Sequence, residues 1–154
     1  MSSLQQIQGF LGLKRFAFVG VSRQPKDFSR MLFREFLARG YQAVPVNPDA
    51  EEIEGQHCFA RLNDVQPPVE GALFMTAPAV TDTLVRDCAD AGIKSVWMFR
   101  GGGQGAATAD TIHYCESQGL QVIPGECPFM FLPGGAWYHR FHGLVRKITL
   151  SYPH

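Results

Sequence analysis

Apolar residues fall into two spacings along this chain, and the two alternate. Five short runs are apolar at nearly every position: Arg15 to Gly20, Tyr41 to Val46, Gly71 to Thr76, Lys94 to Phe99 and Leu120 to Pro124. They have the length and composition of strands covered on both faces. Between them Phe28, Met31, Leu32, Phe36 and Leu37 recur at helical spacing, as do Val80, Leu84, Val85, Cys88 and Ala91, and Ala106 to Gln118 reads as a third helix. These helices finish in "RGY", "AGI" and "QGL", where a glycine takes the left-handed conformation that ends a helix just before a strand begins. The alternation predicts an α/β fold, a doubly wound, mostly parallel sheet of about five strands with helices on both faces, because each crossover lays its helix over the sheet. His57 to Leu62 adds a candidate short edge strand.

The 154 residues have the size of one domain, with a core of about 13–127 and an extension from 128 to the end. Cys58, Cys88, Cys115 and Cys127 form neither a C-x-x-C pair nor a zinc-finger spacing, and Lys14 and Arg15 follow the mildly apolar Leu4 to Leu13 stretch instead of preceding it as in a signal peptide. A cytoplasmic protein with reduced thiols is expected. No apolar run approaches the ~18 residues of a membrane span.

Net charge is zero, yet Lys14 to Arg39 holds seven bases against Asp27 and Glu35, a local balance of +5. Nucleic-acid binders usually carry a broader basic excess, so a compact anionic ligand suits this pattern better. Arg30, Arg34 and Arg39 are read as solvating a helix face.

The residues with chemistry to offer stand where the strands end, the rim on which open parallel sheets bind ligands. Gly20-Val21-Ser22-Arg23 follows the first strand, Val46-Asn47-Pro48 the second, Thr76-Ala77-Pro78 the third and Arg100-Gly101 the fourth. In "FVGVSRQP", Gly20 permits a tight turn, Ser22 offers a hydroxyl, and Arg23 and Lys26 offer charge-assisted hydrogen bonds to an anion at the following helix. The plainer alternative is that Ser22 or Asp27 caps that helix while Arg23 stays in solvent. A nicotinamide dinucleotide fits poorly: its fingerprint wants a second glycine where Ser22 stands and an acid where Asn47 stands.

In their order and separation, "FVGVSRQPKDFS", "GYQAVPVNP", "EIEGQHCFARLNDV", "TAPAVTDTLV" and "AGIKSVWMFRGG" resemble the CoA-binding domain proteins related to the N-terminal domain of the succinyl-CoA synthetase α subunit. The resemblance implies a Rossmann-like domain whose ligand is coenzyme A or an acyl-CoA. It implies that Gly20, Val21, Ser22 and Arg23, with Lys26 nearby, meet the CoA phosphates. Val46, Asn47 and Pro48 would line the adenosine side, and Thr76, Ala77 and Pro78 would border the remaining groove. An amide at position 47 then has a use, since a carboxylate there would repel the 3′-phosphate. The loop "FRGGGQG", with Arg100 and Gly101, fits either a further phosphate or pantetheine contact or a flexible turn.

In the extension, Trp137, Phe141, Leu144, Val145 and Ile148 predict an amphipathic helix that packs on the core or on a second copy in a homodimer. His139 and His142 are read as solvated, and Cys127 as a small apolar residue sooner than a partner for the CoA thiol. No Ser-His-Asp series, nucleophile elbow, paired acids or Walker A lysine is found. The expectation is a binding module without a catalytic site of its own. The alternatives are an NAD(P)-linked oxidoreductase or nucleotide sensor with a drifted phosphate loop, and a structural or interaction subunit.

Overall fold

The computed structural model describes residues 4–99, 106, 108–128 and 131. A helix, α1 (Leu4–Gly12), leads into β1 (Arg15–Val19), α2 (Phe28–Ala38) and β2 (Gln42–Val46). A two-stranded hairpin of β3 (Glu52–Ile53) and β4 (Gln56–His57) follows. The chain then continues through β5 (Gly71–Phe74), α3 (Pro78–Leu84), β6 (Ser95–Met98), α4 (Ala109–Ser117) and β7 (Gln121–Pro124).

The five long strands form one all-parallel sheet in the order β2-β1-β5-β6-β7. From β1 the chain goes outward to β2, then crosses back to lay β5 on the other side of β1, so strand order reverses between β1 and β5. That reversal is where loops diverge and a crevice opens. Register brings the carboxyl ends level: Val19 lies opposite both Val46 and Phe74, and Phe74 opposite Met98. The turns after β1, β2 and β5 are therefore neighbours.

Each strand sends alternate side chains to opposite faces. Phe16, Phe18, Leu73, Trp97 and Ile123 pack on one face with Phe10, Phe33 and Phe36 from α1 and α2. Ala17, Val19, Phe74, Val96 and Met98 pack on the other with Val85, Cys88 and Cys115. The first face is an aromatic lattice, with Phe16–Phe36, Phe18–Phe33 and Phe10–Trp97 ring centroids 4.9, 5.5 and 5.4 Å apart. Edge-to-face packing of this kind adds about 0.5–1.5 kcal/mol per pair beyond buried area. Gly40, Gly92 and Gly119 all have positive φ, as the three helix-to-strand joints require.

The structure departs from the sequence reading in four places. Leu4 to Leu13 is mostly helix α1, burying Ile7, Phe10 and Leu11 against the sheet. The helix expected from Val80 to Gly92 is seven residues long and passes into a 3-10 turn at Val85–Asp87, which leaves Val80 47% exposed instead of in the core. The expected edge strand at His57 to Leu62 is one bridge, Phe59 to Val46, beyond the β3–β4 hairpin. The helix expected from Ala106 begins at Ala109, where the Thr108 hydroxyl accepts the Thr111 N–H. The predicted C-terminal helix, with His139 and His142, lies outside the described residues. Among the described residues no helix is long and apolar enough to cross a membrane.

Candidate functional site

Gly20 turns the chain at the end of β1 with φ +90, and its N–H donates to the Val46 carbonyl oxygen across 3.3 Å. A β-carbon there would lie 2.7 Å from Thr76 Cγ2 and 3.0 Å from the Met75 carbonyl oxygen. Only glycine therefore lets the first turn approach the ends of β2 and β5 so closely.

Asn47 joins the second turn to the first. Its amide nitrogen donates to the Val21 carbonyl oxygen at 3.0 Å, its side-chain oxygen accepts the Asp49 N–H at 2.8 Å, and its own N–H donates to Phe59. In the third turn the Thr76 and Thr81 hydroxyls are 2.6 Å apart. Thr81 Oγ1 also contacts the Thr76 and Ala77 carbonyl oxygens, and Pro78 begins α3 where a missing N–H costs nothing.

The first loop is braced from behind. Arg30 donates from Nη1 to the carbonyl oxygens of Ser22 (3.2 Å) and Arg23 (3.1 Å), while its Nε and Nη2 both lie 2.7 Å from Glu54 Oε2 at the β3–β4 turn. Arg34 donates to the Pro25 carbonyl and reaches the same Glu54 oxygen at 3.5 Å. Reading these arginines as a solvated helix face was thus wrong, since their planar forks hold the loop's carbonyls. Arg39 pairs with Glu35 one turn earlier on α2.

Ser22 is also committed locally: its hydroxyl donates to Asp27 Oδ2 at 2.6 Å and accepts the Gln24 N–H at 2.9 Å, and its N–H donates to Ser29 Oγ. Asp27 occupies the N-cap position of α2 but accepts from Ser22 there, with no side-chain capping bond. Arg23 and Lys26 are exposed, and neither side chain makes a hydrogen bond or ion pair with any described residue. Val21 is fully buried, so only its backbone faces the rim.

Between the three turns lies a slot of about 330 Å³. Val19, Gly20, Val46 and Thr76 line it from the strand ends, together with Asn47 and Pro48 after β2. The rest of the lining, Ala60, Arg61, Leu62, Val80 and Leu84, was not anticipated from sequence. Val80 carried a signal, an apolar residue in the first turn of a helix directly after a rim loop. The volume lies within the range of small-molecule sites, and an apolar wall with few polar groups suits a flat heterocycle. Ser22, Arg23, Lys26, Ala77 and Pro78 stand on the rim outside the slot's lining, and Arg100 and Gly101 lie outside the described residues.

The Cys58 thiol near the rim is a poor nucleophile. Burial raises the Cys58 thiol above its ordinary value, with the hydrogen bond to Asn47 only partly opposing. Cys127 is buried after β7 and is not in a disulfide. Among the described residues no group of three or more His, Cys, Asp or Glu could hold a metal ion.

Three comparisons bear on this architecture. YneT of Bacillus subtilis (strain 168), an uncharacterized protein, is 33% identical over 57 residues, and the match spans 37% of this chain and 42% of that protein. A conserved hypothetical protein from Pyrococcus furiosus superposes with a TM-score of 0.66 at 26% identity, over 73% of this chain and 94% of that one. The dinucleotide forming acetyl-coenzyme A synthetase 1 of Ca. Korarchaeum cryptofilum shares the fold over 73% of this chain, with a TM-score of 0.64 at 24% identity, but over only 26% of its own length. The model of the CoA binding domain family matches residues 14–133, which takes in β1 to β7 and all three turns of the slot. By that match the chain belongs to the CoA binding domain family.

Proposed function

We propose that this protein binds coenzyme A or an acyl-CoA on the rim between β1, β2 and β5, as a binding module with no catalytic site of its own. The adenine lies in the slot against Val80, Leu84 and Leu62. The pyrophosphate rests beside the Gly20 to Arg23 loop, where Arg23 and Lys26 supply positive charge. The pantetheine arm leaves along Thr76, Ala77 and Pro78.

One observation carries this reading: an apolar slot opens beside a braced loop whose two exposed cationic side chains have no partner among the described residues. A cation with no ion pair among the described residues meets an anionic ligand without first breaking an internal pair. Each charge-assisted bond is worth about 1.5–3 kcal/mol where the ligand excludes water. Membership of the family supports coenzyme A as that anion.

An NAD-type ligand is served less well. The end of β2 offers Asn47, whose amide is occupied at both ends by backbone, in place of a carboxylate for the ribose hydroxyls. Titration calorimetry with CoA and with NAD separates the two. CoA is expected to bind at one site per chain and NAD at least tenfold more weakly, and tighter binding of NAD would refute the assignment.

A further inference from the structure

The slot has one charged residue among its described lining, and neither the phosphate loop nor the apolar wall accounts for it. Arg61 stands two residues beyond Phe59, which bridges Val46 and accepts the Asn47 N–H at 2.9 Å. Its backbone is fixed again on the other side, where its carbonyl oxygen accepts the Asp64 N–H at 3.0 Å. The residue is thereby anchored beside the end of β2, in the lining of the slot.

Its side chain is 64% exposed and its Nη2 lies 3.5 Å from Asp87 Oδ2, a long pair open to solvent. Such pairs are worth little and exchange readily for a better anion. The polar groups nearby are occupied: both ends of the Asn47 amide bond backbone, and the Thr76 hydroxyl is tied to Thr81. Arg23 and Lys26 sit on the loop outside the slot's lining.

Resting on the assignment of this rim as a CoA site, we propose that Arg61 is the residue that distinguishes a ribose 3′-phosphate from a plain ribose. An adenosine seated in the slot carries its ribose to the mouth, where Arg61 is the cation within the lining. The guanidinium leaves Asp87 and donates two N–H groups to the phosphate oxygens, a fork geometry that a lysine does not reproduce. Asp87 is the competing anion, and it lowers affinity by holding Arg61 in the empty site.

The test is calorimetric titration of the full chain with CoA and with 3′-dephospho-CoA. The wild type is expected to prefer CoA by about tenfold or more. Arg61→Ala is expected to weaken CoA binding alone, bringing the two ligands to within about twofold of each other. Asp87→Asn is expected to tighten CoA binding and leave 3′-dephospho-CoA unchanged. Arg61 is exposed and Asp87 partly exposed, and melting of the unliganded variants checks that they fold. Equal loss for both ligands in Arg61→Ala, or a preference that survives it, overturns the role of Arg61. Equal binding of the two ligands by the wild type overturns it as well while leaving the CoA site intact. If the wild type binds neither, the site assignment falls first.

Discussion

The Asn47 side-chain nitrogen lies 3.0 Å from the Val21 carbonyl oxygen, fastening the turn after β2 to the turn after β1. The same amide accepts the Asp49 N–H, so both of its ends are used. Asn47→Asp keeps the acceptor but sets a carboxylate against the Val21 carbonyl and near the ligand phosphates. It is expected to lower both the melting temperature and CoA affinity more than Asn47→Ala does. An unsatisfied buried acceptor costs about 1–3 kcal/mol, and like-charge repulsion adds to it. Thermal denaturation and calorimetry on the two variants check the order.

Gly20 makes the close approach of three turns possible, so Gly20→Ala strains the backbone at φ +90 and drives a methyl into Thr76 Cγ2 at 2.7 Å. Destabilisation of about 1–3 kcal/mol is expected from the backbone conformation alone. Adding Thr76→Ser removes the methyl that clashes and should recover part of the loss. The Met75 carbonyl, 3.0 Å away, and the unfavourable φ remain. Denaturant melts of the single and double variants measure the recovery.

Arg30 links the phosphate loop to the β3–β4 turn through Ser22, Arg23 and Glu54. Its side chain is only 12% exposed, so Arg30→Lys leaves one ammonium to replace three directed bonds. Faster amide exchange over residues 22–27 is expected in that variant, together with weaker CoA binding. Hydrogen-exchange mass spectrometry reads the first effect, and unchanged exchange there would separate Arg30 from loop order.

Two thiols make stability depend on alkaline pH. Burial pushes Cys88 up to about 12, with smaller contributions from Cys115 and Asp87, and pushes Cys115 up to about 11, with Asp82 and Glu116 adding. The folded state therefore keeps both thiols protonated while the unfolded chain begins to ionise near an ordinary thiol value of 9.0. Stability from these groups is whole below that value and declines as pH rises from about 9 toward 12. Melting temperatures taken from pH 7 to 11 should fall at the upper end, and less steeply in Cys88→Ala compared at its own baseline. Iodoacetamide should leave both thiols unmodified at neutral pH in the folded protein.

The strands and the three glycine joints were legible because two-sided burial writes continuous apolar runs, and a left-handed helix end asks for glycine. Helix α1 left a signal too, since its buried Ile7, Phe10 and Leu11 stand at i, i+3 and i+4, although Gly9 and Gly12 weaken its helix propensity. At the site, Gly20, Asn47 and Thr76 were legible from their places at strand ends. The rest of the slot's lining was not. Ala60, Arg61 and Leu62 are brought there by the single bridge between Phe59 and Val46, a tertiary contact that leaves no local pattern. The clamp made by Arg30 and Glu54 spans 24 residues and was invisible for the same reason.

A crystal structure of the protein with coenzyme A tests the central claim most directly. Density for the adenine between Val80 and Pro48, with the pyrophosphate beside Ser22 and Arg23, is the expected result. Coenzyme A bound at another face, or an empty rim at a ligand concentration that saturates the protein in solution, would contradict the account.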